Sequence, residues 1–211
     1  MSVKIVFIAD THGMHERIIV PDGDILVHAG DITNSGKLME AVAFDRWIAK
    51  LPHEHKIVIA GNHDFCFQTE PREAQASLRS CTYLEDEGYI AKNLSFYGSP
   101  WQPWFYDWAF NLPRGGDELR AKWASIPDDT DILVTHGPPA GYGDLTANGD
   151  RAGCAELLDR VRQVVPRVHC FGHIHEGYGT TREDRTIFVN ASVCNLRYEP
   201  VNPPLVIAIP D

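Results

Sequence analysis

Between an apolar run and a polar loop the chain reads FGHIHEGYG (171–179), which sets His173 and His175 one residue apart in a glycine-rich turn. Other short clusters carry side chains of the same kind: Asp10 with His12, Asp31 after Gly30, Asn62-His63-Asp64 after Gly61, and His136 before Gly137. Asp10, His12, Asp31, Asn62, His136, His173 and His175 make a donor set of carboxylate, amide and imidazole with no thiolate. Such a set suits Mn²⁺, Fe or Zn²⁺ better than it suits a cysteine-rich structural zinc site. It holds too many donors for one small cation that also keeps a water, whereas two divalent ions bridged by one carboxylate would use them all. In extended backbone, residues i and i+2 point to the same side, so Asp10 and His12 can reach a single ion. His173 and His175 also face one way, but a glycine-rich turn lets them diverge, each towards a different ion.

These clusters need a scaffold that brings them together. Apolar runs rich in Val and Ile at 3–9, 24–29, 56–60, 131–135 and 168–171 read as buried strands. Residues 38–50, 72–79, 117–125 and 154–165 read as the helices between them, with further strands at 94–98, 186–190 and 205–209. Strand–helix alternation of this kind implies a layered α/β domain whose helices cover a buried sheet. Each of the first five strands runs directly into one of the polar clusters. Ligands of open α/β sheets sit beyond the carboxyl ends of the strands, so the clusters are expected to meet there.

Taken in order, Asp10-x-His12, Gly30-Asp31, Gly61-Asn62-His63-Asp64, His136 and Gly172-His173-x-His175 resemble the motif set of the calcineurin-like metallophosphoesterases. HGPPAGYGD (136–144), GCAELL (153–158), GHIHEGYG (172–179), NAS (190–192) and NPP (202–204) are similar to one subgroup, the metallophosphoesterase domain-containing proteins. The resemblance implies one domain over 1–211, a four-layer αββα sandwich with a dinuclear metal site at the carboxyl ends of the strands. It implies Asp10, His12, Asp31 and His175 around a first ion, and the bridging Asp31 with Asn62, His136 and His173 around a second. His63 then falls beside the leaving group as the general acid, with Asp64 as its orienting neighbour. Paired ions clamp the attacking and leaving oxygens of a phosphoryl centre and lower the pKa of a shared water. A histidine that titrates near the working pH serves the departing oxygen.

Composition narrows the partners. The chain has 211 residues, 44% of them hydrophobic, which suffices for one sizeable core. A formal charge of −10 argues against long nucleic acid, whose binding needs a basic face. The apolar start at 3–9 is too short for a membrane span or a signal peptide, so no membrane partner is expected. Five cysteines without a CxxC pair fit a reducing compartment, and a cytoplasmic protein is the expectation. The sequence leaves the oligomeric state open. His28 and His169 lie inside strand patterns and are expected to be hydrogen-bonded core groups. His15 is expected in a surface loop, and His53 and His55 in a solvated loop at the far end of the sheet. The aromatic stretch YGSPWQPWFYDWAF (97–110) reads as a proline-broken loop, packed in part and a candidate wall for the site. Arg151, in NGDRAGC (148–154), reads as part of a helix start.

The substrate expectation comes from charge. Phosphatases of the protein Ser/Thr branch of this family carry arginines beside the second and third motifs, and 30–36 and 60–64 hold none here. A monoester dianion gains much from a guanidinium, whereas a diester monoanion needs less counter-charge. A small phosphodiester, a cyclic or simple nucleotide, is therefore the expected substrate, with two divalent ions, Mn²⁺ first, as cofactors. The alternatives are a broad phosphomonoesterase and a catalytically silent nucleotide- or protein-binding module on the same fold. The intact donor set speaks against the silent module.

Overall fold

The computed structural model describes residues 2–210, so positions 1 and 211 of the expected domain lie outside it. Along the chain the elements are β1 (Ser2–Ile8), β2 (Ile25–Ala29), α1 (Leu38–Ile48), β3 (His55–Ile59), α2 (Phe65–Thr69), α3 (Pro71–Ser77), β4 (Thr82–Tyr83), β5 (Glu87–Ala91) and β6 (Leu94–Ser99). There follow β7 (Gln102–Pro103), β8 (Asn111–Leu112), α4 (Asp117–Ala124), β9 (Ile132–Thr135), α5 (Ala155–Val164), β10 (Val168–Phe171), β11 (Gly179–Glu183), β12 (Thr186–Asn190) and β13 (Leu205–Pro210).

Two sheets carry the fold, in strand orders β13-β1-β2-β3-β4 and β11-β12-β10-β9-β6-β5. Each is parallel at its centre and antiparallel where β13, β11 and β5 join at the edges. Because successive side chains of a strand alternate sides, one strand serves two cores. Ile5, Phe7, Val27 and Ile57 of the first sheet face Phe96, Ile132, Val134 and Val168 of the second, and the residues of this layer are apolar. The alternate residues Val6, Ile8, Leu26 and Val58 meet Phe44, Trp47 and Ile48 of α1. On the far side, Leu133, Phe171 and Phe188 meet Leu119 and Trp123 of α4 and Leu157 and Val161 of α5. The result is the four-layer αββα sandwich. Burial on both faces explains why the central strands read as unbroken apolar runs. Among the described residues, no helix is long and apolar enough to cross a membrane.

Two histidine expectations are corrected. His15 is not in a surface loop: it is 4% exposed, with its ring 5.6 Å from Phe44 and 5.2 Å from Trp47. His53 is not solvated either, being 3% exposed with Nε2 3.1 Å from the Pro21 carbonyl. His55 opens β3 with Nδ1 3.1 Å from the Tyr89 hydroxyl.

Candidate metal centre

The site is made by backbone that leaves the strands and turns sharply. Asp10, His12, Asp31 and His173 all have positive φ, between 43° and 68°. Non-glycine residues reach that region at a cost, and such strain gathers at functional sites. The turns are tied to one another. Asp10 N–H donates to Gly30 O at 3.0 Å, His12 N–H to Asp31 O at 3.0 Å, and Gly172 N–H to His136 O at 2.9 Å. Gly61 and Gly172 are glycine because a Cβ at either position would strike the Asp31 or the Asp10 carboxylate respectively.

All seven expected donors converge. Asp31 Oδ2 lies 3.8 Å from His12 Nε2 and 3.4 Å from His136 Nε2, and so stands between two groups. On one side His12 Nε2 and His175 Nε2 are 3.2 Å apart, with Asp10 Oδ1 3.8 Å from His175 Nε2. On the other, Asn62 Oδ1 lies 2.8 Å from both His136 Nε2 and His173 Nδ1. His173 and His175 thus part company, each joining a different group.

The donor chemistry fits a cation. His136 Nδ1–H donates to Ala29 O at 2.9 Å, and His175 Nδ1–H donates to Asn195 O at 3.0 Å. Each ring then turns its Nε2 lone pair inward, the usual way a second partner fixes a metal-binding imidazole. The His136 lone pair faces Asn62 Oδ1 and Asp31 Oδ2, which are acceptors, so only a proton or a metal ion reconciles them. The electrostatics agree. Burial opposes a charge on His136, yet the adjacent Asp31 outweighs it and lifts this imidazole to about 9. Burial would likewise raise Asp31, but His136 and then His12 hold its carboxyl well below the usual range. His12 and His173 stay neutral because burial pushes them down to about 4 and about 3.

Around the donors sits a ring of supports. Asp10 accepts from the His173 N–H at 3.0 Å and from the Ser192 hydroxyl. His28 Nε2 lies 3.0 Å from Thr11 Oγ1, and His169 Nε2 lies 2.9 Å from Thr135 Oγ1. These two imidazoles, each pushed down to about 3 by burial, are the core groups expected of them. Ser192 and Asn195 escaped the sequence reading. Ser192 follows β12, and the rule that polar residues past a strand end belong to the site would have found it in NAS (190–192). Asn195 gave no signal.

Asp64 calls for a correction. It makes no hydrogen bond to the His63 ring, whose Nδ1–H donates instead to Asn34 O at 2.8 Å. Asp64 accepts from the Thr33 N–H and Oγ1–H at 2.8 Å and the Gly61 N–H at 2.8 Å, bolting the second and third turns together. Its carboxyl is pushed up to about 7 by burial and then by Asp31. Backbone donors of the two turns take up the buried carboxylate, while the His63 ring packs on Trp108 and is held by the Asn34 carbonyl. Arg151 pairs with Asp144 at 2.6 Å, and its segment ends before α5 begins. Phe105, Trp108, Leu196 and Tyr198 wall the cavity above the donors, while Ala109 and Phe110 are core. The stretch 97–110 therefore divides between packing and site wall.

Parallel-centred twin sheets carry this cluster at their carboxyl ends, and the chain belongs to the calcineurin-like phosphoesterase family, whose model matches residues 3–177. It is 46% identical to human Metallophosphoesterase domain-containing protein 1, over 98% of this chain and 71% of that one. It is 40% identical to the UPF0046 protein C25E10.12 of Caenorhabditis elegans, over 99% of this chain and 82% of that protein. The solved structure of TT1561 from Thermus thermophilus shares the fold, with a TM-score of 0.62 at 14% identity over 90% of this chain and 89% of that one.

Proposed function

We propose that the protein hydrolyses a small phosphodiester, a cyclic or simple nucleotide, with two divalent ions, Mn²⁺ first. Asp10, His12, Asp31 and His175 would hold one ion, and Asp31, Asn62, His136 and His173 the other. The observation that carries this reading is the buried convergence of His136 Nε2, Asn62 Oδ1 and Asp31 Oδ2 beside the second cluster at His12 and His175. When bound, the ions supply charge for the phosphoryl oxygens and a water of lowered pKa.

The chain's own residues do the rest. His63 lines the cavity, and the Asn34 carbonyl fixes its Nδ1–H, so Nε2 is the nitrogen left to pass a proton to the departing oxygen. Asp64 keeps the Asn62-His63 turn in register with Asp31, whose Oδ1 accepts from the His63 N–H at 2.8 Å. Among the described residues, no arginine or lysine lines this cavity. A monoanionic diester needs less counter-charge than a dianionic monoester, which supports the diester.

The test is turnover of bis(p-nitrophenyl) phosphate and of p-nitrophenyl phosphate in metal-depleted and Mn²⁺-loaded protein, with metal content measured. Higher kcat/KM for the diester, lost on chelation, is the expected result. The opposite order would move the assignment to a phosphomonoesterase. No turnover of either ester in protein holding two ions would leave the silent binding module.

A further inference from the structure

The cavity above the donor cluster has apolar walls from two separate loops, Phe105 and Trp108 from one and Leu196 and Tyr198 from the other. Both walls reach His63. The Trp108 ring lies 4.4 Å from the His63 ring at an interplanar angle of 32°, and the Tyr198 ring lies 5.9 Å away at 62°. Tyr198 also stands edge-on to His12 at 4.7 Å and to His175 at 5.5 Å.

Tyr198 packs on these imidazoles yet keeps much of its surface open. It is 42% exposed. Its φ of 60° is one that a bulky residue adopts only when its surroundings impose it. The imposing group is Asn195. Its Oδ1 accepts from the Arg197 N–H at 2.8 Å and the Glu199 N–H at 3.0 Å, and its Nδ2–H donates to Glu199 Oε2 at 2.9 Å. The carbonyl of the same residue holds His175. One asparagine thus aims both an imidazole of the donor cluster and the tyrosine above it. Asn195 and Tyr198 lie beyond the 3–177 matched by the family model, so this wall belongs to the chain's later segment and not to the matched core.

We infer that Trp108 and Tyr198 form a slot for a planar ring carried on the substrate's ester oxygen, directly or through a sugar, and that Tyr198 determines specificity for it. The inference rests on the phosphoesterase reading. Because the slot flanks His63, the residue that serves the departing oxygen, the ring belongs to the leaving group. Aromatic side chains accept any π-face, so the slot favours the class of planar rings, aryl or nucleobase, over bare sugars.

The experiment is calorimetric titration of the Mn²⁺-loaded full chain with AMP, phenyl phosphate and ribose 5-phosphate, which present the same phosphate with a base, an aryl ring or neither. A ring-bearing ligand should bind about 5-fold tighter than ribose 5-phosphate or more, the scale of stacking on one aromatic residue. Which of AMP and phenyl phosphate leads identifies base or aryl. Tyr198→Ala should remove that advantage and Tyr198→Phe should keep it, with thermal melts showing both variants folded. Equal affinity for all three ligands, or an undiminished advantage in Tyr198→Ala, would overturn the slot and leave the phosphoesterase reading standing. If none of the three binds while the loaded protein still turns over bis(p-nitrophenyl) phosphate, the slot falls and the phosphoesterase reading stands; absence of both binding and turnover removes the two together.

Discussion

The first sheet sends Asp10, His12, Asp31 and Asn62 into the site from the ends of β1, β2 and β3, while the second sends His136, His173 and His175 from β9 and β10. Within the donor set, all the carboxylate comes from one sheet and the other gives imidazole alone. Both sheets use the same support beneath, a buried neutral histidine on a threonine next to a donor: His28 on Thr11 in the first, His169 on Thr135 in the second. The difference shows how charge is managed. Anions that would repel each other across an open cleft are kept on one sheet, each pinned by backbone or hydroxyl donors. On the facing sheet burial keeps His173 uncharged, while His136 answers Asp31 directly. Neither half is a site without the other.

The sharpest way to break this division is Asp31→Ala, which removes the one carboxylate that touches both clusters. We expect loss of bound metal and a fall in turnover on the order of 10³-fold, since an ion contributes several kcal/mol to a phosphoryl transition state. Elemental analysis beside the assay checks it, and full metal content in an inactive variant would contradict the bridging role. Next comes His63→Ala, which should keep both ions and lose about 10²-fold. That loss should shrink for diesters with strongly acidic leaving groups, which need no proton, and an equal loss across leaving groups would count against proton transfer.

The imidazole half is separated by His173→Ala and His175→Ala. Each should weaken a different ion, and we expect about 10- to 100-fold more Mn²⁺ to be needed for half-activity, with excess Mn²⁺ restoring part of the rate. Wild-type Mn²⁺ dependence in either variant would remove that histidine from the donor set.

The smallest effect is on stability. His28 and His169 are held near 3 in the folded chain against about 6.5 when exposed, so the unfolded state binds more protons between those values. The stability they allow is full above about pH 6.5 and declines as the pH falls towards 3. In His28→Gln and His169→Gln, denaturation midpoints should therefore depend less on pH across that window than in the wild type.

Much of this was open to reading in the sequence because buried parallel strands are apolar on both faces and end abruptly in polar turns. The runs at 3–9, 24–29, 56–60, 131–135 and 168–171 correspond to β1, β2, β3, β9 and β10, and the donors follow each end. What escaped has a common cause. Strands β5 and β11 lie at sheet edges with mostly exposed residues, so EGYIA and GTTRE show no apolar run. His15 and His53 look solvated in sequence, yet an aromatic pair and a carbonyl bury them. Asn195 and Tyr198 act through a turn whose geometry depends on a side chain, and no periodicity encodes that.

His12 and His175, in contact at 3.2 Å, are 163 residues apart in the chain. Its cysteines are all unpaired among the described residues, so no covalent link ties these distant segments. An ion shared by the two imidazoles would be such a link, and closing so long a loop restricts the unfolded chain far more than it alters the folded one. Chelation would then do to this protein what reduction does to one held by disulfides, lowering the melting temperature of the whole chain and not merely emptying a pocket.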